Sequence, residues 1–300
     1  MTAPRQVLPG STYLLSRRCV RRQLLVRPST VVNQVFRYCF ANAARRTGIL
    51  LHAIVVMGNH VHAVVTDPEG RLPEFTHWLF EHSAKCLNAT LGRWENLWSA
   101  EPPSAVRLVS VPDVLDKILY VMTNPTTAAL VRTASDWPGV VTLPGDYRRG
   151  PVEVAKPEVF FRGDGPAPER VTLEMVPPGG FEERTIEAFA RMMAEELELR
   201  EADIRMQHKA KRRCIPGPQA ALEQDPYAFP AGMEPRRGLN PRVAARSRWP
   251  RIEALRRLKD FLVAYAKALA GFLAGEREVT FPAGTYWMVR YAGARSMAPG

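Results

Sequence analysis

Short apolar runs alternate with longer stretches of helical spacing over the first 125 residues of the chain. Four of the short runs are bounded by turn residues and predict strands, at residues 12–19, 49–57, 60–66 and 105–110. Apolar residues that recur every three or four positions predict three helices, over about 30–47, 72–91 and 113–124. Ser29 and Gly48 supply the start and stop signals of the first helix.

These elements follow the order βαββαβ, with one more helix after the last strand. That order predicts an α+β fold built on a ferredoxin-like antiparallel sheet. Two helices cover one face of such a sheet, so the other face is left for the last helix, which carries Tyr120 and Asn124. A fold of this kind does not fix a function, and a binding scaffold without chemistry remains open.

The chain changes character after residue 149. Prolines cluster between residues 150 and 180, which predicts a linker or an irregular segment. Helical spacing returns at 182–200 and at 252–273. We therefore predict a first domain at residues 1–149 and a basic, mainly helical C-terminal region at residues 181–300.

The composition is that of an ordinary globular protein, with 46% hydrophobic and 24% charged residues. Its four cysteines lie far apart, without CxxC or zinc-finger spacing, so we expect reduced thiols that fill small spaces in the core. No apolar run reaches the ~18 residues that a membrane helix needs, and the N-terminus lacks the apolar core of a signal peptide. These features predict a soluble, cytoplasmic protein without a membrane partner.

Positive charge is concentrated in two stretches of a chain whose formal net charge is +11. Residues 1–66 contain nine arginines and no carboxylate, and residues 236–259 contain nine basic residues against Glu253. Such a density of like charge predicts a polyanion partner, although a solvated helix face would also explain the second stretch. The candidate DNA-binding residues are Arg17, Arg18, Arg21, Arg22, Arg242, Arg246 and Arg248.

His60 and His62 begin the third predicted strand. Side chains two positions apart on a strand point to the same face, so the two imidazoles are expected side by side while Val61 points the other way. A pair of half-exposed strand histidines with no ligand is the simpler reading of this short motif. His52, by contrast, falls in an apolar strand, and we expect a hydrogen-bonded core histidine there.

Tyr120 and Asn124 lie four positions apart on the last predicted helix and so share one of its faces. Two imidazoles and an amide oxygen suit Mg²⁺ or Mn²⁺, with coordination positions left for phosphate oxygens. A tyrosine beside such an ion can attack a phosphodiester and form a covalent link. The alternative for Tyr120 is a tyrosine packed in the core, and for Asn124 a residue that merely ends the helix before Pro125.

Four features together resemble the single-tyrosine HUH transposases, and in particular the REP-associated group. They are Gly58-Asn59-His60-Val61-His62, the pair Trp94 and Trp98, Tyr120-x3-Asn124-Pro125, and Asp136-Trp137-Pro138-Gly139. The resemblance covers roughly residues 8–145. It implies metal-dependent cleavage and strand transfer of single-stranded DNA beside hairpins, through a phosphotyrosine intermediate. It also implies that His60, His62 and Asn124 hold Mg²⁺ or Mn²⁺ and that Tyr120 is the nucleophile.

The chain departs from the family pattern at two places. Gly58 stands where such proteins often have proline, and Ala100-Glu101-Pro102-Pro103 replaces an aromatic segment. Two other functions stay open: a nicking nuclease or replication initiator with the same site, and an inactive or domesticated regulator that only binds nucleic acid. The complete set of tyrosine, two histidines and asparagine argues against the regulator. A homodimer is retained as a hypothesis.

Overall fold

The computed structural model describes residues 4–230, 241–276 and 278–298. In chain order its strands are β1 (Ser11–Arg18), β2 (Leu50–Val56), β3 (His60–Asp67), β4 (Ser104–Leu108), β5 (Val152–Ala155), β6 (Arg170–Leu173), β7 (Val243–Ala244), β8 (Thr280–Phe281) and β9 (Arg295–Ser296). Its α-helices are α1 (Thr30–Thr47), α2 (Leu72–Leu91), α3 (Val111–Met122), α4 (Asn124–Thr127), α5 (Pro144–Arg149), α6 (Ile186–Ala210), α7 (Pro218–Leu222), α8 (Arg248–Leu273) and α9 (Trp287–Ala292). This mixture confirms the predicted α+β class.

The central sheet has five strands in the order β2-β3-β1-β4-β7. The first four strands of this order pair antiparallel, whereas β7 joins β4 in parallel. The prediction of a wholly antiparallel sheet is therefore wrong at this edge. Without β7, the outer side of β4 would expose unpaired backbone groups. The C-terminal region pairs with them, and the backbone N–H of Arg107 donates to the carbonyl of Arg242 at 2.9 Å.

Alternate residues of β1 show which helices cover each face of the sheet. The guanidinium of Arg17 lies over the ring of Phe80 in α2, 5.8 Å from its centroid, so this face meets the packed pair α1 and α2. Ser16 points the other way and contacts His62, on the face that α3 covers. The sheet therefore separates a helical layer of α1 and α2 from the tyrosine-bearing helix.

Local capping signals fix the ends of the helices that frame the sheet. The Ser29 hydroxyl accepts a hydrogen bond from the backbone N–H of Val32 at 3.2 Å, and Gly48 ends α1 with a φ of +71°. Both predicted signals are therefore confirmed. Ser110 and Asp113 form a reciprocal capping box at the start of α3, which fixes where that helix leaves β4.

A segment after α4 covers the free edge of β2. The backbone N–H of Val56 donates to the carbonyl of Val140 at 2.8 Å, and the indole N–H of Trp137 donates to the carbonyl of Val56 at 3.0 Å. A Cβ at Gly139 would lie only 2.4 Å from the indole nitrogen of Trp137, so glycine is needed for this approach. The Trp137-Pro138-Gly139 motif thus protects a sheet edge.

Residues 150–180, predicted to be a linker or an irregular segment, contain the antiparallel pair β5 and β6. This hairpin packs on α1. The Tyr38 hydroxyl of α1 donates to the carbonyl of Pro168 at 2.7 Å, and Val154 and Val171 are buried. The segment is therefore attached to α1 by side-chain packing.

Two long helices, α6 and α8, account for most of the regular structure described after residue 180. α6 packs against α3, α4 and α5, and it extends past the predicted end at residue 200 into the basic residues that follow. α8 spans the predicted 252–273 helix and begins four residues earlier, at Arg248. Part of the second basic stretch, residues 236–240, lies outside the described residues.

Cysteine burial matches the expectation of core filling at three positions. Cys19, Cys39 and Cys86 are buried free thiols, whereas Cys214 is exposed, so the expectation is wrong there. Burial raises the pKa of the Cys19 thiol to about 12. Within the described ranges, no helix combines the length and apolar character needed to cross a membrane.

Candidate active site

The two histidines of β3 lie side by side, as their spacing predicts. Their ring centroids are 4.9 Å apart with an angle of 75° between the ring planes. Val61 between them is buried on the opposite face. The strand alternation therefore converts a two-residue spacing into a pair of converging imidazoles.

Each ring nitrogen of His62 has a partner from a different element. Nδ1 lies 2.9 Å from the hydroxyl of Ser16, which is directly opposite His62 in the β1–β3 register. Nε2 lies 3.3 Å from the phenol oxygen of Tyr120. Burial, reinforced by the neighbouring His60, lowers the pKa of His62 to about 3. The ring is therefore neutral at ordinary pH, which is the form that binds a metal or accepts a phenol proton.

His60 bridges two asparagine side chains. Its Nδ1 lies 2.7 Å from Oδ1 of Asn59, and its Nε2 lies 3.3 Å from Oδ1 of Asn124. When Nδ1–H donates to Asn59, Nε2 carries a lone pair that faces the oxygen of Asn124. Two lone pairs at this separation repel each other unless a cation lies between them or the amide is turned round. The donor set thus fits a divalent cation.

The site draws Tyr120 and Asn124 from two helical segments, so the prediction that one helix carries both is wrong. α3 ends at Met122, and α4 begins at Asn124 after Thr123 with φ −84° and ψ 3°. Pro125 has no backbone N–H to donate, so the helical hydrogen-bond ladder is interrupted at this residue. Asn124 is buried and still reaches His60, while Tyr120 reaches His62.

The candidate ligands are two imidazoles and one amide. In the part of the chain that the structure describes, no group of three or more histidine, cysteine, aspartate and glutamate side chains is placed to hold a metal ion. A cation at His60, His62 and Asn124 would therefore have few protein ligands and would keep positions for phosphate oxygens. The identity of the ion, Mg²⁺ or Mn²⁺, stays a prediction.

A lysine and an aspartate beside the tyrosine were not identified from the sequence. Nζ of Lys117 lies 5.7 Å from the centroid of the Tyr120 ring, and it pairs with Asp116 at 2.9 Å. Burial opposes ionisation of Asp116, but hydrogen bonds from Lys117 and Arg200 outweigh it and lower the pKa of this carboxyl. Lys117 and Tyr120 are three positions apart on a predicted helix, and this spacing could have indicated that their side chains are neighbours.

The arginines at the end of β1 divide between the two faces of the sheet. Arg18 is opposite His60 in the strand register and is exposed. Arg17 points to the other face, where its guanidinium donates to the carbonyls of Glu101 at 2.6 Å and Ser99 at 3.1 Å. Only Arg18 of this pair is therefore placed beside the histidines.

Arg21 and Arg22 form a strained turn next to the site. Their φ angles are 49° and 63°, in the left-handed region that L-residues rarely adopt. The amide of Asn59 donates to the carbonyl of Arg22 at 3.1 Å. Asn59 therefore holds both this turn and His60, a role that the sequence did not reveal because Gly58-Asn59 reads simply as a turn.

The three candidate arginines of the C-terminal region lie around other elements. Arg242 precedes β7 and donates to the carbonyl of Pro4 at 3.1 Å. The backbone N–H of Arg246 donates to Asp113 at 2.7 Å, and its guanidinium lies 3.7 Å from Asp116. Arg248 lies over the ring of Trp249. DNA binding stays a prediction for all seven arginines.

No protein-family model matches the chain, and no curated protein does. Among solved structures, the chain is similar to a REP-associated tyrosine transposase bound to a REP hairpin, with 21% identity over 55% of this chain and 94% of that chain and a TM-score of 0.40. It is also similar to a candidate transposase from Deinococcus radiodurans R1, with 20% identity over 35% of this chain and 85% of that chain and a TM-score of 0.28. At such low sequence identities and TM-scores, function has to be inferred from the geometry of the site.

Proposed function

We propose that this chain is an HUH-type tyrosine transposase, which cleaves single-stranded DNA and transfers the strand through a covalent phosphotyrosine intermediate. The observation that carries the proposal is the position of the Tyr120 hydroxyl, 3.3 Å from Nε2 of His62, in a site where His60 and Asn124 also converge. We propose that residues 1–149 form the catalytic domain. The order β2-β3-β1-β4, with α1 and α2 on one face, supports a ferredoxin-like arrangement for it.

In the proposed reaction, the Tyr120 oxygen attacks phosphorus and forms a new ester bond. The bond from phosphorus to the departing strand end breaks, that end takes up a proton as a hydroxyl, and the phenol proton is released. One phosphodiester is thus exchanged for another, so the link retains the energy needed for rejoining. The reverse attack by a strand hydroxyl restores Tyr120 and completes strand transfer.

His60, His62 and Asn124 would hold the divalent cation, which when bound polarises the scissile phosphate and neutralises developing charge. Ser16 and Asn59 orient the two imidazoles through Nδ1 and leave both Nε2 atoms directed into the site. Nε2 of His62 is also the partner of the phenol. This nitrogen would therefore serve either the phenol or the cation, and in the second case the phenol oxygen would be available for attack.

Positive side chains near the tyrosine suit a polyanionic substrate. Lys117 lies against the Tyr120 ring, and Arg18 is exposed opposite His60. Such charges favour the approach of a phosphate backbone and stabilise the anionic oxygens of the transition state. We propose that the substrate strand lies on this face of the sheet, next to a hairpin. The homodimer stays a prediction, which analytical ultracentrifugation would test.

The test is the formation of a covalent adduct. The protein is incubated with Mn²⁺ and a labelled pool of single-stranded DNA that contains a hairpin with randomised flanking nucleotides, and the products are separated on a denaturing gel. We expect a labelled band at the mass of the protein plus DNA. Hydrolysis without an adduct would favour a different nuclease mechanism, and binding without cleavage would favour the regulator.

A further inference from the structure

A cleft of about 950 Å³ lies on the face of the sheet away from Tyr120, and the proposed chemistry does not use it. Its walls are α2, the 94–103 loop, the first described residues and Arg242. Arg17 lines it, and the alternation along β1 places Arg17 opposite Ser16, which faces His62. The volume is that of a pocket for a small organic ligand or a nucleotide.

Three arginines line this cleft, and the hydrogen bonds of Arg5 and Arg17 go to backbone carbonyls. Arg5 donates to Pro103 at 2.9 Å, Arg17 donates to Ser99 and Glu101, and Arg242 donates to Pro4. A carbonyl accepts a hydrogen bond from a guanidinium but does not neutralise its positive charge. Burial and the nearby charge of Arg242 lower the pKa of Arg5. The cleft therefore concentrates positive charge where like charges repel.

Unused donors lie in the same place. The Nε atoms of Arg5 and Arg17 are buried and have no hydrogen-bond partner among the described residues. Neither guanidinium forms a salt bridge within the described ranges. Buried donors of this kind carry a desolvation cost that an anionic ligand would relieve.

The carboxylates that line the cleft already have cationic partners. Glu81 pairs with Lys85 at 2.5 Å and with His77 at 3.1 Å, and Glu95 lies 3.8 Å from Arg93. Their charge is therefore compensated on α2 and at the rim. What remains for a ligand is the positive charge of Arg5 and Arg17.

Two tryptophans supply flat apolar surface at the mouth of the cleft. Trp94 is 98% exposed, and Trp287 is 56% exposed. Trp287 stacks on Tyr291 with ring centroids 4.9 Å apart, so that its orientation is fixed by a neighbour. Exposed indoles beside guanidinium groups form the combination that binds unpaired nucleotides, because every base has a face that can stack.

We propose that this cleft binds an unpaired nucleotide of single-stranded DNA, with its phosphate on Arg5 and Arg17 and its base on Trp94. The proposal rests on the proposed function in one respect, which is that the same strand also reaches Tyr120. Arg17 and the exposed Arg18 are neighbours on β1 and point to opposite faces. DNA bound at both sites would therefore pass around the end of β1.

The test is equilibrium binding of fluorescein-labelled hexathymidylate, measured by polarisation in a Tyr120→Phe background so that no cleavage occurs. Stacking contributes about 1–3 kcal/mol per base, so Trp94→Ala should weaken binding roughly 5- to 150-fold. Trp249→Ala is the matched control, because Trp249 is 74% exposed but does not line the cleft. The two variants should bind an oligomer of abasic sites with equal affinity, because that oligomer has no base to stack on Trp94.

A double variant, Arg5→Gln with Arg17→Gln, tests the phosphate contacts. The logarithm of the binding constant falls linearly with the logarithm of the salt concentration, and loss of two phosphate contacts should reduce the magnitude of this slope by about 1.4. Arg191→Gln, on the exposed face of α6, should leave the slope unchanged. Because these arginines also bond to carbonyls, the thermal melting of each variant is measured alongside. Trp94 is exposed, so Trp94→Ala is expected to fold like the parent and to report on binding alone.

The proposal is overturned if Trp94→Ala binds hexathymidylate as Trp249→Ala does. It is also overturned if a glutamate-rich peptide displaces the probe while abasic and normal oligomers bind equally, since the cleft would then take an acidic peptide. Adduct formation is measured separately with Tyr120 intact. Binding that depends on Trp94 without any adduct would refute the proposed chemistry and leave the cleft assignment standing.

Discussion

The amide oxygen of Asn59 lies 2.7 Å from Nδ1 of His60, and the amide nitrogen of the same side chain donates to the carbonyl of Arg22. One asparagine therefore sets the orientation of a candidate metal ligand and secures a turn whose backbone is strained. Partners of this kind determine which ring nitrogen is free to bind a metal.

Asn59→Ala should weaken Mn²⁺ binding by roughly 10- to 100-fold, the usual cost of removing a partner that orients a ligand. Asn59→Asp keeps the acceptor for His60 and should restore much of the affinity. Isothermal titration calorimetry measures both. Equal affinities for the alanine variant and the parent would show that Asn59 serves only the turn.

His60→Ala and His62→Ala should each abolish saturable Mn²⁺ binding, because either change leaves too few protein ligands at the site. His77→Ala is the matched control, since its side chain is 76% exposed and lies on α2. Paramagnetic broadening of histidine NMR signals reports the binding. Retention of Mn²⁺ by both site variants would place the metal elsewhere or exclude it.

The sequence predicted the parts of this site that depend on local spacing. The strand period brought His60 and His62 together, and Ser29 and Gly48 marked the ends of α1 correctly. Ser16 was missed because its contact with His62 depends on the strand register, which joins residues 46 positions apart. Register is set by the packing of whole strands and cannot be deduced from one motif.

Long-range pairing also explains why the parallel edge strand of the sheet was not predicted. β7 is only two residues long and pairs with β4, which lies more than 100 positions earlier in the chain. A strand this short has no periodic pattern from which it could be predicted. The end of α3 was predicted near Pro125, and the helix ends three residues earlier, at Met122, where Thr123 leaves helical geometry. A proline marks the neighbourhood of a helix end, not its position.

His52 should make stability depend on pH. It is 1% exposed and bonded to Thr66 and the carbonyl of Val176, and burial lowers its pKa to about 4. The unfolded chain has a histidine pKa of about 6.5, so protons favour the unfolded state. The free energy of unfolding should therefore fall by up to about 3 kcal/mol as the pH drops from 6.5 towards 4.

Urea denaturation at several pH values, for the parent and for His52→Gln, isolates this contribution. The variant loses the titrating group, so its stability should change less than that of the parent between pH 6.5 and 4. Parallel stability curves for the two proteins would mean that His52 has no part in the acid sensitivity.

Arg18 and Arg21 should contribute to DNA affinity through phosphate contacts. Both are exposed near His60, so Arg18→Ala with Arg21→Ala should reduce the log–log salt slope on single strands by about 1.4. Arg246→Ala serves as the comparison, because the guanidinium of Arg246 lies 3.7 Å from the carboxylate of Asp116. A larger slope change for Arg246→Ala than for the double variant would move the DNA path towards α8.

The proposed mechanism requires that Tyr120 becomes covalently linked to DNA. The adduct formed with Mn²⁺ and single-stranded hairpin DNA is digested with nuclease and protease, and mass spectrometry locates the modified peptide. We expect a nucleotide phosphate on Tyr120, no adduct for Tyr120→Phe, and an undiminished adduct for Tyr291→Phe, whose ring is exposed and distant in sequence. A nucleotide phosphate on any other residue, or an adduct that persists in Tyr120→Phe, would contradict it.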